Sequence, residues 1–503
     1  MKETFYNIVS GLFSKLVITG LTLVFVPIYI EFIGVESYGV VGIYTSIVGA
    51  IFLFDFGISN IISKELSQRL ATNHCKKSTI DFLLTIEIIY LLIGLFLGSI
   101  IWIFSSLIVE YWITIHVVSD AELIFSLKLI ALAVATQWPH SFYTSALFGR
   151  KKQLTFNMIY IIFSILKIVG AYILLKYWSA TIVAYLWWSI ITSLLLTLIL
   201  RWALWRELSE EETRPRFNLS EVKKIQKLTI GMSAIGLVIF FVSDFDKFLM
   251  VKILSLRDFG YYSMAFIIPS GFLMLGTSIK NSLFPNISED IISKEGTQIK
   301  QKYHHYTQIV YYLITPLSML VIFFSKEIVF LWTNNSETSL KISSLVIFLT
   351  LGSMINGYTM IIYSYIIVRE KTKFLFYQNL ICAIVALPVL FILLHQIGLM
   401  AAGIYWLLFN LLQYVFLVLY FHVILYPGEI KSYLWNDVAL PILISITVIV
   451  PFKYFVSTYI INVNYFYILF LIILTLIFLF TVLVKKEFKN LLKIKYSNFR
   501  GNK

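Results

Sequence analysis

Long, uninterrupted runs of apolar side chains recur along this chain, and they decide its solvent before anything else. A helix needs about 20 such residues to cross the hydrocarbon core of a bilayer. About fourteen runs reach that length, at residues 8–33, 39–63, 81–108, 122–147, 153–176, 181–204, 225–252, 260–285, 305–325, 344–369, 373–394, 398–424, 437–457 and 464–484. Each is read as an α-helix, because an isolated strand in lipid leaves its backbone N–H and C=O groups unpaired. A water-soluble alternative fails on composition. Only 13% of the 503 residues are charged, against roughly 25% in soluble domains, and single soluble cores stop growing at about 250–300 residues.

The distribution of basic residues orients these spans. With the amino terminus inside and strict alternation, about 29 Lys and Arg fall in inside segments and about six in outside ones. The inside set includes Lys64, Arg69, Arg150–Lys152, Arg214, Arg216, Lys371 and the tail from Lys485 to Lys503. Both termini are therefore expected in the cytoplasm. The net charge of +13 is used in this orientation and forms no compact basic face, so nucleic acid is excluded as a partner. Cys75 and Cys382 offer neither a disulfide framework nor a zinc spacing. The first apolar run is too long for a cleavable signal peptide and lacks a small-residue cleavage site.

The expected fold is an all-α polytopic membrane protein with two six-helix bundles and two further helices. Residues 1–204 form the first lobe, 205–224 a cytoplasmic linker and 225–424 the second lobe. Residues 425–484 add two spans, and 485–503 form a basic tail. Two short stretches suggest a parallel repeat of the lobes. Gly34-Val35-Glu36-Ser37-Tyr38-Gly39 follows the first span, and Leu256-Arg257-Asp258-Phe259-Gly260-Tyr261 follows the seventh. Each puts an aromatic–glycine pair at the outer entrance of the next helix, where glycine permits a tight turn.

Ionisable groups inside the membrane are costly, about 2.5–3.5 kcal/mol each on insertion scales, so each one implies a cavity or a partner. Lys15 lies on a polar stripe with Gly11, Thr19 and Thr22, at spacings that keep one helical face. Asp55 lies at a similar depth on the second span, so the two can pair, either at the mouth of a cavity or as a structural contact. Lys167 sits near the middle of the fifth span, too deep to reach the interface easily. Lys280 is near the inner end of the eighth, where it either lines a cavity or extends to the interface. Asp244 and Lys247 are three residues apart and can pair on one face, with Asp246 between them. Asp244-Phe245-Asp246 also spells the Asp-x-Asp of metal-dependent glycosyltransferases. In the membrane-bound class that motif belongs in the first outside loop, which here carries only Glu31 and Glu36, so no metal is expected. Lysine outnumbers carboxylate among the isolated sites, which suits an anionic cargo.

Several pieces in order resemble the polysaccharide (O-antigen) flippases of the multidrug, oligosaccharidyl-lipid and polysaccharide exporter superfamily. Pro27-Ile28-Tyr29, with Gly34 and Tyr38-Gly39, is similar to that family's first outside turn, and Asp55-Phe56-Gly57 to its Asp-hydrophobic-Gly. Asp246-Lys247 followed by Phe259-Gly260-Tyr261-Tyr262 resembles the junction of the seventh and eighth spans. Phe284-Pro285-Asn286 and Leu331-Trp332-Thr333 resemble later segments. The resemblance implies a bacterial inner-membrane flippase that carries undecaprenyl-pyrophosphate-linked oligosaccharide repeat units outward by alternating access, for O-antigen or capsule. It implies membrane lipids, a polysaccharide polymerase and a chain-length regulator as partners, and Lys15, Asp55, Lys167, Asp246, Lys247 and Lys280 as cleft residues that bind the substrate. No cofactor is expected; protons, sodium or the membrane potential supply the coupling.

Two other readings stay open. A multidrug or toxin antiporter of the same superfamily usually has twelve spans and would prefer a carboxylate-lined cavity. A membrane glycosyltransferase or polymerase would need a large outside loop with catalytic groups. The outside segments are short and hold no nucleophile–base constellation, so no enzyme is expected.

Overall fold

A computed structural model describes residues 2–53, 55, 58–71, 76–114, 118–206, 216–221, 240, 244–293 and 296–459. Among these residues the regular structure is helical, apart from one isolated bridge between Thr114 and Ser255. The first eight helices are α1 (Lys2–Ile33), α2 (Val35–Leu53), α3 (Ile58–Ala71), α4 (Lys76–Trp112), α5 (Asp120–Gln137), α6 (Pro139–Gly149), α7 (Gln153–Tyr177) and α8 (Ile182–Arg206). Next come α9 (Phe245–Ile253), α10 (Leu256–Ser293), α11 (Thr297–Phe323), α12 (Ser325–Thr333), α13 (Ser336–Val368), α14 (Thr372–Ile397) and α15 (Met400–Leu419). Two π-helical turns, Tyr420–Leu425 and Tyr433–Ala439, lead to α16 (Leu440–Tyr459).

Eleven helices among the described residues are long and apolar enough to cross a membrane, and the chain is a multi-pass helical membrane protein. The run expected at 39–63 is not one helix. It divides into α2, which is apolar but short, and α3, with Asp55 in a turn between them. Carboxylate and glycine are both poor in a helix interior, whereas a carboxylate at a helix start accepts amide hydrogen bonds. The span expected at 464–484 lies outside the described residues, as does most of the one at 225–252.

The chain folds as two units. One comprises Met1–Ile267 and Asn379–Tyr405, the other Ile268–Gln378 and Trp406–Lys503. In the first, α4 packs on α5, α1 on α7, α5 and α7 on α8, and α3 on α6. One core cluster there centres on Ile62, Leu83, Phe142, Leu147, Leu200 and Leu204. In the second, α11 packs on α13 and α16. Its core is aromatic, with Tyr303, Tyr311, Tyr365, Phe421 and Tyr433 all fully buried. Asn335 starts α13 by accepting the Thr338 amide at 2.9 Å.

The two aromatic–glycine pairs meet within the first unit, and not as turn residues. The turn between α1 and α2 is made by Gly34, whose φ is +80°. Gly39 and Gly260 instead lie inside α2 and α10, where their missing side chains let the two backbones touch. A Cβ on Gly260 would stand 2.2 Å from the Val35 carbonyl oxygen, and one on Gly39 2.3 Å from that of Leu256. Backbone cannot yield as a side chain does. Gly260→Ala is therefore expected to cost about 1–3 kcal/mol, the range for overpacking, and to lower the melting temperature in detergent. Gly49→Ala, where no atom lies within 4 Å, is the matched control and should leave it unchanged.

Candidate functional site

Asp55 occupies the break between α2 and α3 and is buried. Its Oδ1 accepts the hydroxyls of Tyr90, from α4, and of Ser141, from α6, the latter at 3.2 Å. Its Oδ2 accepts the Ser59 amide at 3.0 Å. The expected alternative of a Lys15–Asp55 pair does not form: three donors already satisfy the carboxylate, and Lys15 is exposed on α1.

Two of those donor residues, Ser59 and Ser141, line a cavity of about 450 Å³ in the first unit. Gln137, His140, Thr144, Ser145 and Tyr160 add polar groups to its wall, and Val48, Phe156, Leu196 and Leu200 apolar ones. Gln137 and His140 flank the junction of α5 and α6 at Trp138, where the backbone stays helical and Pro139 begins α6. Proline fits a first helical turn, where its missing N–H costs nothing. His140 Nε2 lies 2.7 Å from Thr197 Oγ1 and 3.2 Å from the Ser193 carbonyl, both on α8.

Lys167, on α7, is not one of the residues that line this cavity. It lies fourteen residues into α7, roughly 21 Å along the helix axis, and is half-buried. Its ammonium donates to the Tyr44 hydroxyl at 3.1 Å and stands 5.2 Å from the centre of that ring. Gln137 Nε2 donates to the same hydroxyl oxygen at 2.5 Å, so Tyr44 joins Lys167 to a cavity-lining residue. Among the described residues no carboxylate bonds to Lys167. Hydroxyl and aromatic groups hold the cation in place but do not neutralise it.

The remaining expected residues lie elsewhere. Lys247 pairs with Asp244 across one turn of α9, as their spacing predicts, and lines a separate, apolar pocket of about 260 Å³ with Ile43, Trp112 and Phe248. Asp246 is buried, and its Oδ1 meets no donor among the described residues. Lys280 is half-buried in the second unit. Sequence reasoning missed Tyr44, Tyr90, Gln137, His140 and Ser141. It also missed the buried Glu87, which accepts from Tyr143 at 2.6 Å, Arg201 at 2.8 Å and Trp205 at 3.1 Å. Glu87 is fully used by its partners, which marks it as structural.

Residues 31–336 match the family model described as polysaccharide biosynthesis protein. The chain belongs to that family. Of the six expected site residues, only Lys15 lies outside the matched range of the polysaccharide biosynthesis family. A Shigella flexneri protein assigned as an O-antigen transporter is 20% identical over 376 residues, 74% of this chain and 87% of that protein. The fold is that of the lipid II flippase MurJ in an inward closed conformation, with a TM-score of 0.71, 16% identity and coverage of 97% of this chain and 98% of that one. It is also that of a multidrug resistance MATE transporter of the MOP superfamily, inward-facing, with a TM-score of 0.63, 13% identity and coverage of 82% and 92%. This member of the polysaccharide biosynthesis family thus shares its fold with MurJ and with a MATE transporter.

Proposed function

We propose that this chain is a flippase that moves undecaprenyl-pyrophosphate-linked oligosaccharide repeat units from the cytoplasmic to the outer face of a bacterial inner membrane, by alternating access. The observation that carries this reading is Lys167. A cation at mid-depth of a helical bundle, with no described carboxylate beside it, lacks the counter-charge that its location demands. A pyrophosphate head group supplies that counter-charge during transport and is released when the site opens outward. The polar cavity wall of Gln137, His140, Ser141 and Tyr160 suits the hydroxyl-rich glycan, and aromatic rings suit sugar faces. The polyprenyl chain stays in the bilayer, its natural solvent.

In this reading Lys167 contacts the phosphate and Asp55 organises the cavity wall. Lys15, Asp246, Lys247 and Lys280 offer further charge along the route, with protons, sodium or the membrane potential as the driving force. Both termini are cytoplasmic, and a polysaccharide polymerase and a chain-length regulator take the product outside. A multidrug antiporter shares the fold, but a cationic drug would be repelled by Lys167.

The test is transport in proteoliposomes. A fluorescent glycan on undecaprenyl pyrophosphate is placed in the inner leaflet, and its exposure to an external glycosidase is followed. Protein-dependent exposure is expected, with no effect of the protein on efflux of a cationic dye. Dye efflux without glycan exposure would replace the flippase by the antiporter.

A further inference from the structure

A chain of charged groups lies in the second unit, away from the cavity described above. Asp437, in the second π-helical turn, is fully buried. One of its carboxylate oxygens meets His304 Nδ1 of α11, and the other accepts Gln308 Nε2 at 2.5 Å. The opposite nitrogen of the same ring, His304 Nε2, lies 3.3 Å from Glu429 Oε2. The other oxygen of Glu429 pairs with Lys300 at 2.9 Å.

Hydrogen counting sets the protonation state. A neutral imidazole has one N–H and one bare nitrogen. Facing two carboxylates, the bare nitrogen would oppose oxygen lone pairs. Only the imidazolium donates on both sides. Lys300 beside Glu429 holds that carboxyl below its ordinary range, so Glu429 is an anion. With His304 protonated, the four charges of Lys300, Glu429, His304 and Asp437 sum to zero. With the proton gone, a net negative charge remains around a buried carboxylate whose desolvation cost the Gln308 amide alone does not offset.

The other titratable groups around His304 are few. His422, on the first π-helical turn, faces Tyr303 at 3.2 Å and donates its Nδ1–H to the Val418 carbonyl oxygen at 3.0 Å along its own helix. Tyr303, Tyr312 and Tyr414 bring phenols near Asp437, Tyr433 brings one against His422, and α16 brings no ionisable side chain near this end. π-helical turns are rare and concentrate at functional sites. Here the two in the described residues both abut the Tyr303–His304 pair.

We propose that His304 is a proton-binding site that clamps residues 429–439 onto α11 through Glu429 and Asp437, and that loss of its proton releases the clamp. The ligand is the proton itself, and the inference does not depend on the cargo.

Amide hydrogen exchange, followed by mass spectrometry on the full-length protein in nanodiscs and corrected for the intrinsic pH dependence of exchange, tests this. In the wild type, amides of 429–439 are expected to be protected at pH 6 and at least tenfold less protected at pH 9. His304→Gln, whose two N–H donors sit on one nitrogen and do not face the two carboxylates from opposite sides, should lack the protection at both pH values. Glu429→Gln, at a partly exposed position that tolerates the change, should shrink the pH dependence while leaving the rest of α11 protected. Protection in the wild type that is the same at both pH values would overturn the proposal. So would a His304→Gln protein that is protected like the wild type at pH 6.

Discussion

Lys167→Ala is expected to reduce export of surface glycan by at least 30-fold while leaving protein abundance and melting temperature at or above wild type. The combination is unusual and follows from the surroundings of this side chain. Its ammonium bonds to the Tyr44 hydroxyl at 3.1 Å and meets no carboxylate among the described residues, so the folded protein bears an uncompensated desolvation cost. Removing the cation relieves that cost. The cargo, in contrast, loses a charge-assisted hydrogen bond of about 2 kcal/mol, which corresponds to about 30-fold. Lys167→Arg keeps the charge in a bulkier, planar form and should retain part of the export. The measurement is surface glycan per cell, normalised to protein in the membrane fraction. Normal glycan with Lys167→Ala would remove this residue from the transport path.

The second large effect is at Asp55, and it is of the opposite kind. Asp55→Ala leaves the hydroxyls of Tyr90 and Ser141 and the amide of Ser59 without their acceptor. Leaving buried donors unsatisfied costs about 1–3 kcal/mol each, and the start of α3 loses its carboxylate as well. Protein abundance and export are expected to fall together, with destabilisation of at least about 3 kcal/mol. Asn keeps an acceptor and is a good residue at helix starts. Asp55→Asn should therefore restore abundance, and export to within about threefold, on the order of 0.6 kcal/mol. An Asp55→Asn protein that is abundant but inactive would show that the charge itself, and not the hydrogen bonds, is used in transport.

The spans were legible because twenty apolar residues in a row have few alternatives in water or lipid, and α1, α4, α7, α8, α10, α11 and α13–α15 fall where apolar runs predict them. The break at Asp55 was less so. Hydropathy averaged over a window does not register one carboxylate and one glycine among twenty apolar neighbours, although Asp55-Phe56-Gly57 is the local signal for it. The Asp244–Lys247 pair was legible because it is local. Tyr44, Gln137 and His140 were not, because each is one polar group on an apolar helix and reads as core until its neighbours are known. Gln137-Trp138-Pro139-His140, polar groups around a proline in the middle of a span, is the one stretch that points to the cavity wall. The glycines of the two aromatic–glycine pairs were recognised for the wrong reason. Their value lies in contact between α2 and α10, and a tertiary contact has no local signature. The same holds for His304 and Asp437, 133 residues apart.

In the proposed function a cation within the first unit, Lys167, recognises the pyrophosphate of a lipid-linked cargo. Native mass spectrometry of the purified protein with undecaprenyl pyrophosphate and, separately, with undecaprenol tests it most directly. Binding of the pyrophosphate form is expected, with at least 30-fold weaker binding by Lys167→Gln and little binding of the alcohol by either protein. Equal binding of the alcohol and the pyrophosphate by the wild type, or binding of the pyrophosphate unchanged by Lys167→Gln, would contradict it.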